Sequence, residues 1–183
     1  MATASNVTVG KPNIAGAIYR APKGTAIPVD ASTSLASDFI NLGYIGEDGV
    51  VNSNTRTSDD FKAWGGDTVL TNQTEYKDTF KFKFLETMNK DVLETVYKST
   101  NVTGTDLATG LTVKANAQEL DEYVWVIDMI LRDNVLNRIV IPDGKISEVG
   151  DITYSDSDVV AFDVTVTAFP DSDGNTHYEY KKK

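Results

Sequence analysis

The spacing of apolar and polar residues predicts β-strands along most of this chain. Lys77 to Leu85 alternates strictly, with phenylalanines on one face and lysines on the other. The alternating side chains are Phe80, Phe82 and Phe84 against Lys81 and Lys83. Leu111 to Ala117 and Val159 to Phe169 repeat this period of two, which is typical of a strand with one buried face.

A second kind of strand is predicted for Tyr123 to Leu131, because its apolar residues occupy both faces. Val124 and Val126 fall on one face, and Trp125 and Ile127 on the other. A strand that is apolar on both faces is covered on both. We expect one cover to be a helix or another subunit.

One helix is predicted, from Asn89 to Ser99. Asn89 is a favourable N-cap, and Asp91 lies in the first turn, where the helix dipole favours an anion. An apolar stripe follows at helical spacing: Val92, Leu93, Val96 and Tyr97. This helix is expected to lie across the sheet and cap its core.

Turn signals separate the later strands. Pro142-Asp143-Gly144 predicts a turn before a strand from Lys145 to Tyr154. Asp171 to Asn175 predicts a hairpin loop that returns through His177 to Tyr180. Together the elements predict a mostly β fold, an antiparallel β-sandwich or β-barrel with one packed α-helix.

The N-terminal residues lack the pattern of a folded unit. Prolines recur through residues 1–40, which precludes a long helix, and apolar residues come singly. Isolated apolar side chains on an extended segment suit docking on a neighbouring surface; an unstructured terminus is the alternative. We therefore predict an extended N-terminal arm over residues 1–40 and a single domain over residues 41–183.

A glycine-rich block follows the arm. Gly43, Gly46 and Gly49 recur every third residue and predict tight turns or bulges rather than a helix. The next stretch, Asn52 to Asp60, is polar without an apolar period, and we interpret it as a long loop. The block ends in Trp64-Gly65-Gly66.

Composition excludes several classes of protein. The 183 residues include no cysteine, which excludes disulfides and makes a zinc site of the common Cys/His type improbable. The first residues are not those of a signal peptide, and the longest apolar run stops at Asp128, so no membrane span is expected. The net charge of −10 argues against stable binding of nucleic acid, although an acidic wall lets DNA slide past.

Candidate catalytic groups are few. His177 is the single histidine, without a nucleophile motif nearby, and is interpreted as an ordinary strand residue. Acidic pairs such as Asp156 and Asp158 are more typical of turns than of a glycosidase site. Asp171 to Asn175 resembles the start of a calcium loop, but Lys182 stands where the bidentate glutamate belongs. We predict no enzyme activity, no cofactor and no metal.

Several segments, in order, resemble the major tail proteins of phages with long non-contractile tails, the tail tube subunits. The type found in phages of Gram-positive bacteria is the closest match. The resemblance covers nearly the whole chain through APKGTAIPVD, LGYIGEDGV, the strand pair FKAWGGDTVL, DTFKFKFLETMNKDVLETVY, RIVIPDGKISEVGDITY and AFDVTVTAFPDSDGNTHYEY.

The resemblance implies a structural virion protein made in the host cytoplasm. Its subunits are expected to form hexameric rings that stack into the tail tube, through which DNA passes during ejection. Implied partners are further copies of the chain, a tape measure protein, a tail terminator and a distal tail protein. Alternatives are the tube of a contractile tail or secretion-type injection device, and a monomeric β-sandwich that binds a ligand.

Contacts between subunits are expected in the arm from Lys11 to Phe39 and in the loop from Asn52 to Asp60. The residues predicted at the interface are Ile14, Ile18, Tyr19, Pro22, Pro28, Leu35, Phe39, Tyr44 and Trp64. Which residues line the lumen is left open, because either polar face of the alternating strands would serve.

Overall fold

A computed structural model describes residues 2–13 and 16–183, and Ile14 of the predicted interface lies outside them. Within this part, the chain forms eleven strands, one α-helix and three short 3₁₀ turns, at Ala4–Asn6, Ser99–Asn101 and Arg132–Asn134. The elements are β1 Lys11–Pro12, β2 Ile18–Pro22, β3 Ile40–Asn41, β4 Val51–Lys62, β5 Thr68–Phe84, α1 Lys90–Tyr97, β6 Val102–Thr103, β7 Thr112–Val113, β8 Glu122–Ile130, β9 Leu136–Val149, β10 Phe162–Ala168 and β11 Tyr178–Lys182.

Nine of these strands form one antiparallel sheet. Its order is β3-β2-β8-β9-β10-β5-β4, with β1 beside β8 and β11 beside β9, while β6 and β7 pair separately. The sheet does not close into a barrel among the described residues, since β3 and β4 end the order. The prediction of a mostly β, antiparallel, sandwich-like fold with one packed helix is confirmed.

The helix packs its apolar stripe on one face of the sheet. The Asn89 side chain caps it by accepting a hydrogen bond of 3.0 Å from the Asp91 backbone N–H. The helix ends at Tyr97, two residues earlier than predicted, because Lys98 takes a left-handed φ of 77°. Val92, Leu93 and Val96 join the main core below the helix.

The main core combines the helix with inward-facing residues of six strands, β2, β5, β6, β8, β9 and β10. Its largest fully buried side chains are Trp125, Phe80, Phe84, Ile18, Leu42, Ile127 and Ile141. The predicted alternation of phenylalanines on β5 is thus confirmed, since Phe80, Phe82 and Phe84 are all buried. Lys81 and Lys83 point away from this core, and Lys81 lies 3.4 Å from the carboxylate of Asp163 on β10.

The opposite face of β8 and β9 carries a second apolar cluster. Ala21, Phe39, Val124, Val126 and Val140 are its buried members. Ile27 and Leu35 pack against it, so residues of the predicted arm supply the second cover. The prediction that β8 is covered on both faces is confirmed, and the covers are the helix side on one face and the chain's own N-terminal segment on the other.

The division into an arm over residues 1–40 and a domain over residues 41–183 stays a prediction. Within that arm, β2 lies inside the sheet and pairs with β8 from Ile18 opposite Ile127 to Pro22 opposite Tyr123. Arg20 of β2 also approaches the helix, with its guanidinium 3.7 Å from the Glu94 carboxylate. Part of the predicted arm is therefore integral to the fold.

The predicted turn at Pro142-Asp143-Gly144 is wrong, because β9 runs straight through it. The register shifts at this point, so that Tyr123 faces Gly144 while Trp125 faces Ile141. An extra residue in one strand is a bulge, which tolerates proline in a central strand. The Trp125 indole N–H donates a 2.9 Å hydrogen bond to the Gly144 carbonyl and ties the bulge to the core.

The predicted hairpin around Asp171 to Asn175 is also wrong. β10 pairs with β9 from Gly144 to Val149, and β11 pairs with the same edge of β9 from Leu136 to Val140. The two strands therefore lie end to end, and the loop between them leaves and rejoins one edge. Three strand predictions shorten: only Thr112–Val113 of Leu111 to Ala117 pairs, β9 ends at Val149 rather than Tyr154, and β10 spans Phe162–Ala168 rather than Val159 to Phe169.

Candidate assembly surface

The outer part of the β4–β5 pair projects from the rest of the fold, which we call the body. β5 pairs with β10 only from Asp78 to Phe84, whereas its pairing with β4 continues to Thr68. Beyond Asp78 the two strands project without a third strand beside them, and every residue is exposed. We call residues 55–77 the projecting hairpin.

The interpretation of Asn52 to Asp60 as a loop is wrong, since these residues lie within β4. The apolar period that marks a strand arises from burial of one face. A ribbon that is exposed on both faces has no such period, so its polar sequence resembled a loop. The strand pair in FKAWGGDTVL, in contrast, is observed.

The hairpin is long relative to the body. At about 3.3 Å per residue, the stretch of β5 from Lys77 to Thr68 spans roughly 30 Å. Side chains join its strands: Thr71 donates to the Asp60 carboxylate at 2.7 Å, and the Arg56 guanidinium lies 4.7 Å from the Tyr76 ring centre. An isolated two-stranded hairpin is marginally stable at best, so this one is suited to gaining order from a partner.

The tip of the hairpin is a tight turn that presents a tryptophan. Ala63 and Asp67 close the turn with a 2.8 Å backbone hydrogen bond. Gly65 and Gly66 have φ of 115° and 101°, a region that favours glycine. Trp64, which precedes the two glycines, has a fully exposed side chain, at 106% of its reference area.

Further apolar side chains follow behind Trp64. Phe61 pairs with Leu70 across the ribbon, and these two and Val69 are each more than half exposed. Scattered single apolar residues are normal on a surface, but a cluster at the end of a projecting element marks an interaction site. The tip is therefore the candidate contact surface.

The root of the hairpin is built around one buried carboxylate, that of Asp78. The residue is 1% exposed and lies in phase with Phe80, Phe82 and Phe84 on the inward face of β5. Four side chains donate to it: Asn52 at 2.7 Å, Asn54 at 3.0 Å, Thr176 at 2.6 Å and His177 at 2.6 Å. The sequence predicted that His177 is an ordinary strand residue. In the structure it immediately precedes β11 and bonds to this buried carboxylate.

The predicted interface residues of the arm lie in two environments. Ile18 is fully buried in the main core, and Phe39 is 9% exposed in the second cluster. Tyr19 and Leu35 pack against that second cluster. Because these four side chains already contact the chain's own body, they are less available to a neighbour.

The other predicted interface residues are more open, and they are not brought together. Pro22 is exposed at the end of β2, and Pro28 is partly buried in the following segment. Tyr44 is 68% exposed in the glycine-rich block, where Gly43 and Gly49 adopt the predicted turn conformations. Trp64 lies at the tip of the hairpin, far along β4 from that block.

The arm segment over the second cluster is fastened by a buried arginine. Arg138 of β9 pairs with both oxygens of Asp128, at 2.7 and 2.9 Å. Its remaining nitrogen donates to the backbone carbonyls of Asp30 and Thr33, at 3.2 and 2.8 Å. The Asp30 carboxylate in turn accepts bonds from Thr33 and Ser32, which hold its pKa below the ordinary value.

Two groups considered for catalysis or metal binding, His177 and Asp171, have structural partners. In the part of the chain that the structure describes, no cluster of three or more histidine, aspartate or glutamate residues could hold a metal ion. Asp171 accepts bonds from the Tyr178 hydroxyl and from backbone N–H groups of its own loop, which lower its pKa. Two surface grooves beside Lys145 have linings formed from residues 23, 98, 119–122 and 145–149, which include no aromatic side chain.

A family model described as phage tail tube protein matches residues 3–182. The chain belongs to the phage tail tube protein family. The resemblance to phage tail tube subunits is thereby confirmed, and the chain is a structural component of the phage tail that self-associates into a tube. No curated protein matches the chain.

Membership of the tail tube family gives the projecting hairpin a context. A tube subunit needs surfaces that contact further copies of itself. The hairpin tip meets this need, since it is exposed and carries a cluster of apolar side chains. Among the helices of the described residues, none is long and apolar enough to span a membrane.

Proposed function

We propose that this chain forms hexameric rings that stack into the tube of a long non-contractile phage tail, through which DNA passes during ejection. The observation that carries the proposal is the projecting hairpin, which is exposed along its length and apolar at its tip. Membership of the tail tube family supports self-association. The hairpin supports a specific contact through which one copy binds another.

Two directions of contact follow from the topology. β3 and β4 end the sheet order, so each has a neighbouring strand on one side only among the described residues. Such edges invite pairing with another chain across the strands, and a closed ring removes them. The hairpin instead extends along the strand direction, so it reaches a copy stacked above or below. Head-to-tail contacts of this kind close into rings or grow as filaments.

The passage of DNA is supported by charge. The chain has a net charge of −10, and a wall of the same sign as phosphate disfavours sticking. The tape measure protein, tail terminator and distal tail protein are proposed as further partners in the assembled tail. We also propose synthesis in the cytoplasm of a Gram-positive host.

Negative-stain electron microscopy of the purified, concentrated chain tests the proposal. Hollow tubes or stacked rings with sixfold symmetry are the expected result. In a matched variant, residues 56–76 are replaced by Asn-Gly, which allows a two-residue hairpin between Thr55 and Lys77. This variant should fold, as judged by circular dichroism, but form no tubes.

Two point variants refine the result. Trp64→Ala should weaken assembly, whereas Tyr154→Ala should not, although Tyr154 is also a largely exposed aromatic residue at 77%. Tubes formed by the shortened hairpin would contradict its role as the connecting arm. A full-length chain that stays monomeric at the highest attainable concentration would contradict unaided assembly and favour a monomeric binding domain.

Contacts through the N-terminal arm also remain part of the proposal, but the structure changes how they are tested. Removing residues 1–30 would delete β2 and its buried Ile18, and so disrupt the fold. Val29→Glu instead changes an arm side chain that is 74% exposed and lies outside the sheet strands. The same microscopy should then show shortened or absent tubes, and normal tubes would remove this part of the arm from the interface.

A further inference from the structure

We propose that Asp78 is a positioning residue for self-association, because its buried carboxylate fixes the direction in which the projecting hairpin leaves the body. The inference rests on the proposed function in one respect, the use of the hairpin as a connecting arm. Its physical basis lies at the hairpin root.

The root is the place where β5 loses its backbone neighbour. Ala168, the last residue of β10, pairs with Asp78, and β5 continues outward beyond it. On that side the support changes from a backbone ladder to side chains. Thr176 and His177, which precede β11, take up the position beside β5 through bonds to one carboxylate oxygen of Asp78.

The other oxygen of the same carboxylate binds the second strand of the hairpin. Asn52 and Asn54 of β4 both donate to it, at 2.7 and 3.0 Å. One carboxylate therefore joins β4, β5 and the segment before β11. A ribbon held only by its own ladder is free to bend at its root, whereas one held on both sides is fixed in direction.

Burial makes this connection strong. A buried carboxylate is costly unless donors satisfy it, and hydrogen bonds to a charged acceptor are about twice as strong as neutral ones. The His177 ring is itself placed by Phe80, with ring centres 5.3 Å apart in an edge-to-face arrangement. Asp78 and its four donors, which we call the hub, are thus attached to the main core through Phe80.

The absence of cysteine from the sequence allows a direct test by pulsed electron paramagnetic resonance. Ser58→Cys in the hairpin and Glu148→Cys on β9 provide two exposed sites for nitroxide labels. The distance distribution between them is measured at a concentration at which sedimentation shows monomers. The parent pair should give one narrow distribution.

Two variants weaken the hub in different ways. Asp78→Asn replaces one acceptor oxygen by a donor, and should broaden the distribution about twofold. Asn52→Ala with Asn54→Ala removes the donors of β4 and leaves the buried carboxylate with Thr176 and His177. The double variant also removes the bond that the Tyr76 hydroxyl donates to Asn54 and the one that Asn52 donates to the Thr79 carbonyl. If Asp78→Asn does not fold, this double variant still tests the inference. Its distance distribution should broaden to the same extent.

Asp106→Asn is the matched control, because it neutralises a carboxylate that accepts bonds from Thr109 within its own loop and does not bond to the hairpin or its root. Its distribution should equal that of the parent. A broad parent distribution, or unchanged widths in both hub variants, would overturn the inference.

Self-association is measured separately on the same proteins at high concentration. A hub variant that has a broad distribution but forms tubes as well as the parent would refute the positioning role in assembly. If instead the parent hairpin is fixed in direction but the chain never associates, the proposed function fails while the structural role of Asp78 stands.

Discussion

The β8–β9 pair and the projecting hairpin are two long antiparallel ribbons with opposite surroundings. β8 and β9 are covered on both faces, by the main core and by the second cluster. Residues 55–77 are exposed on both faces. The backbone ladder is the same in kind, so the difference lies wholly in what the side chains contact.

This difference separates stability from assembly. Burial of apolar side chains is the dominant favourable contribution to folding, and it is concentrated around β8 and β9. The hairpin buries little within the chain, so its order contributes little to the fold. Its apolar tip gains burial only against another molecule. We therefore expect substitutions in the two ribbons to have separable effects, on unfolding in one and on association in the other.

The two tryptophans give the largest contrast. Trp125 is 1% exposed and bonded to Gly144, whereas Trp64 is fully exposed. Trp125→Ala should lower the free energy of unfolding by about 3–5 kcal/mol, because it leaves a cavity in the core. Trp64→Ala should change it by less than about 0.5 kcal/mol.

Urea denaturation followed by circular dichroism measures both changes in the monomer. A comparable loss of stability in the two variants would contradict the separation, since it would mean that Trp64 is buried within the chain.

The buried ion pair on β8 and β9 gives the next effect. Arg138→Met leaves the Asp128 carboxylate buried without its partner and should destabilise the chain by about 3 kcal/mol. Amide exchange should also increase in residues 27–39, because the carbonyls of Asp30 and Thr33 lose their donor. The hairpin, which lies outside this network, should exchange as before.

The control for this prediction is Arg138→Met combined with Asp128→Leu. Replacing both partners of a buried pair by apolar residues is often neutral or stabilising, so most of the lost stability should return. A double variant as unstable as the single one would show that the bonds to the arm carbonyls, rather than the unpaired carboxylate, dominate.

The same comparison explains what the sequence could predict. A strand or helix with a buried face has apolar residues at regular spacing in the sequence. The phenylalanines of β5, the two apolar faces of β8 and the capped helix were therefore predicted correctly. The hairpin has no buried face and left no period, and it was interpreted as a loop. Trp64 was included in the predicted interface, but its place at the end of a long ribbon was not foreseen.

Long-range pairing accounts for most of the other errors. β10 and β11 share one edge of β9, and that register is set by strands distant in sequence rather than by the intervening turn residues. The Asp78 hub left one local signal, a charged residue in phase with three buried phenylalanines. Its donors lie 24–26 and 98–99 residues away, and no local pattern identifies them.

The smallest predicted effect concerns the loop that joins β10 to β11. The Tyr178 hydroxyl and backbone N–H groups of Asn175 and Asp173 hold the pKa of Asp171 below its ordinary value of 3.8. A lowered pKa in the folded state means that this carboxylate stabilises the fold above pH 3.8, and that the contribution is lost as pH falls through the folded value. Asp171→Asn should thus be less stable than the parent near neutral pH.

The difference between parent and Asp171→Asn should shrink as pH falls below 3.8, because other carboxylates titrate in both proteins and cancel. Thermal unfolding from pH 6 to pH 2.5 measures it. A difference in stability that stays constant with pH would mean that Asp171 acts through the shape of its turn rather than through its charge.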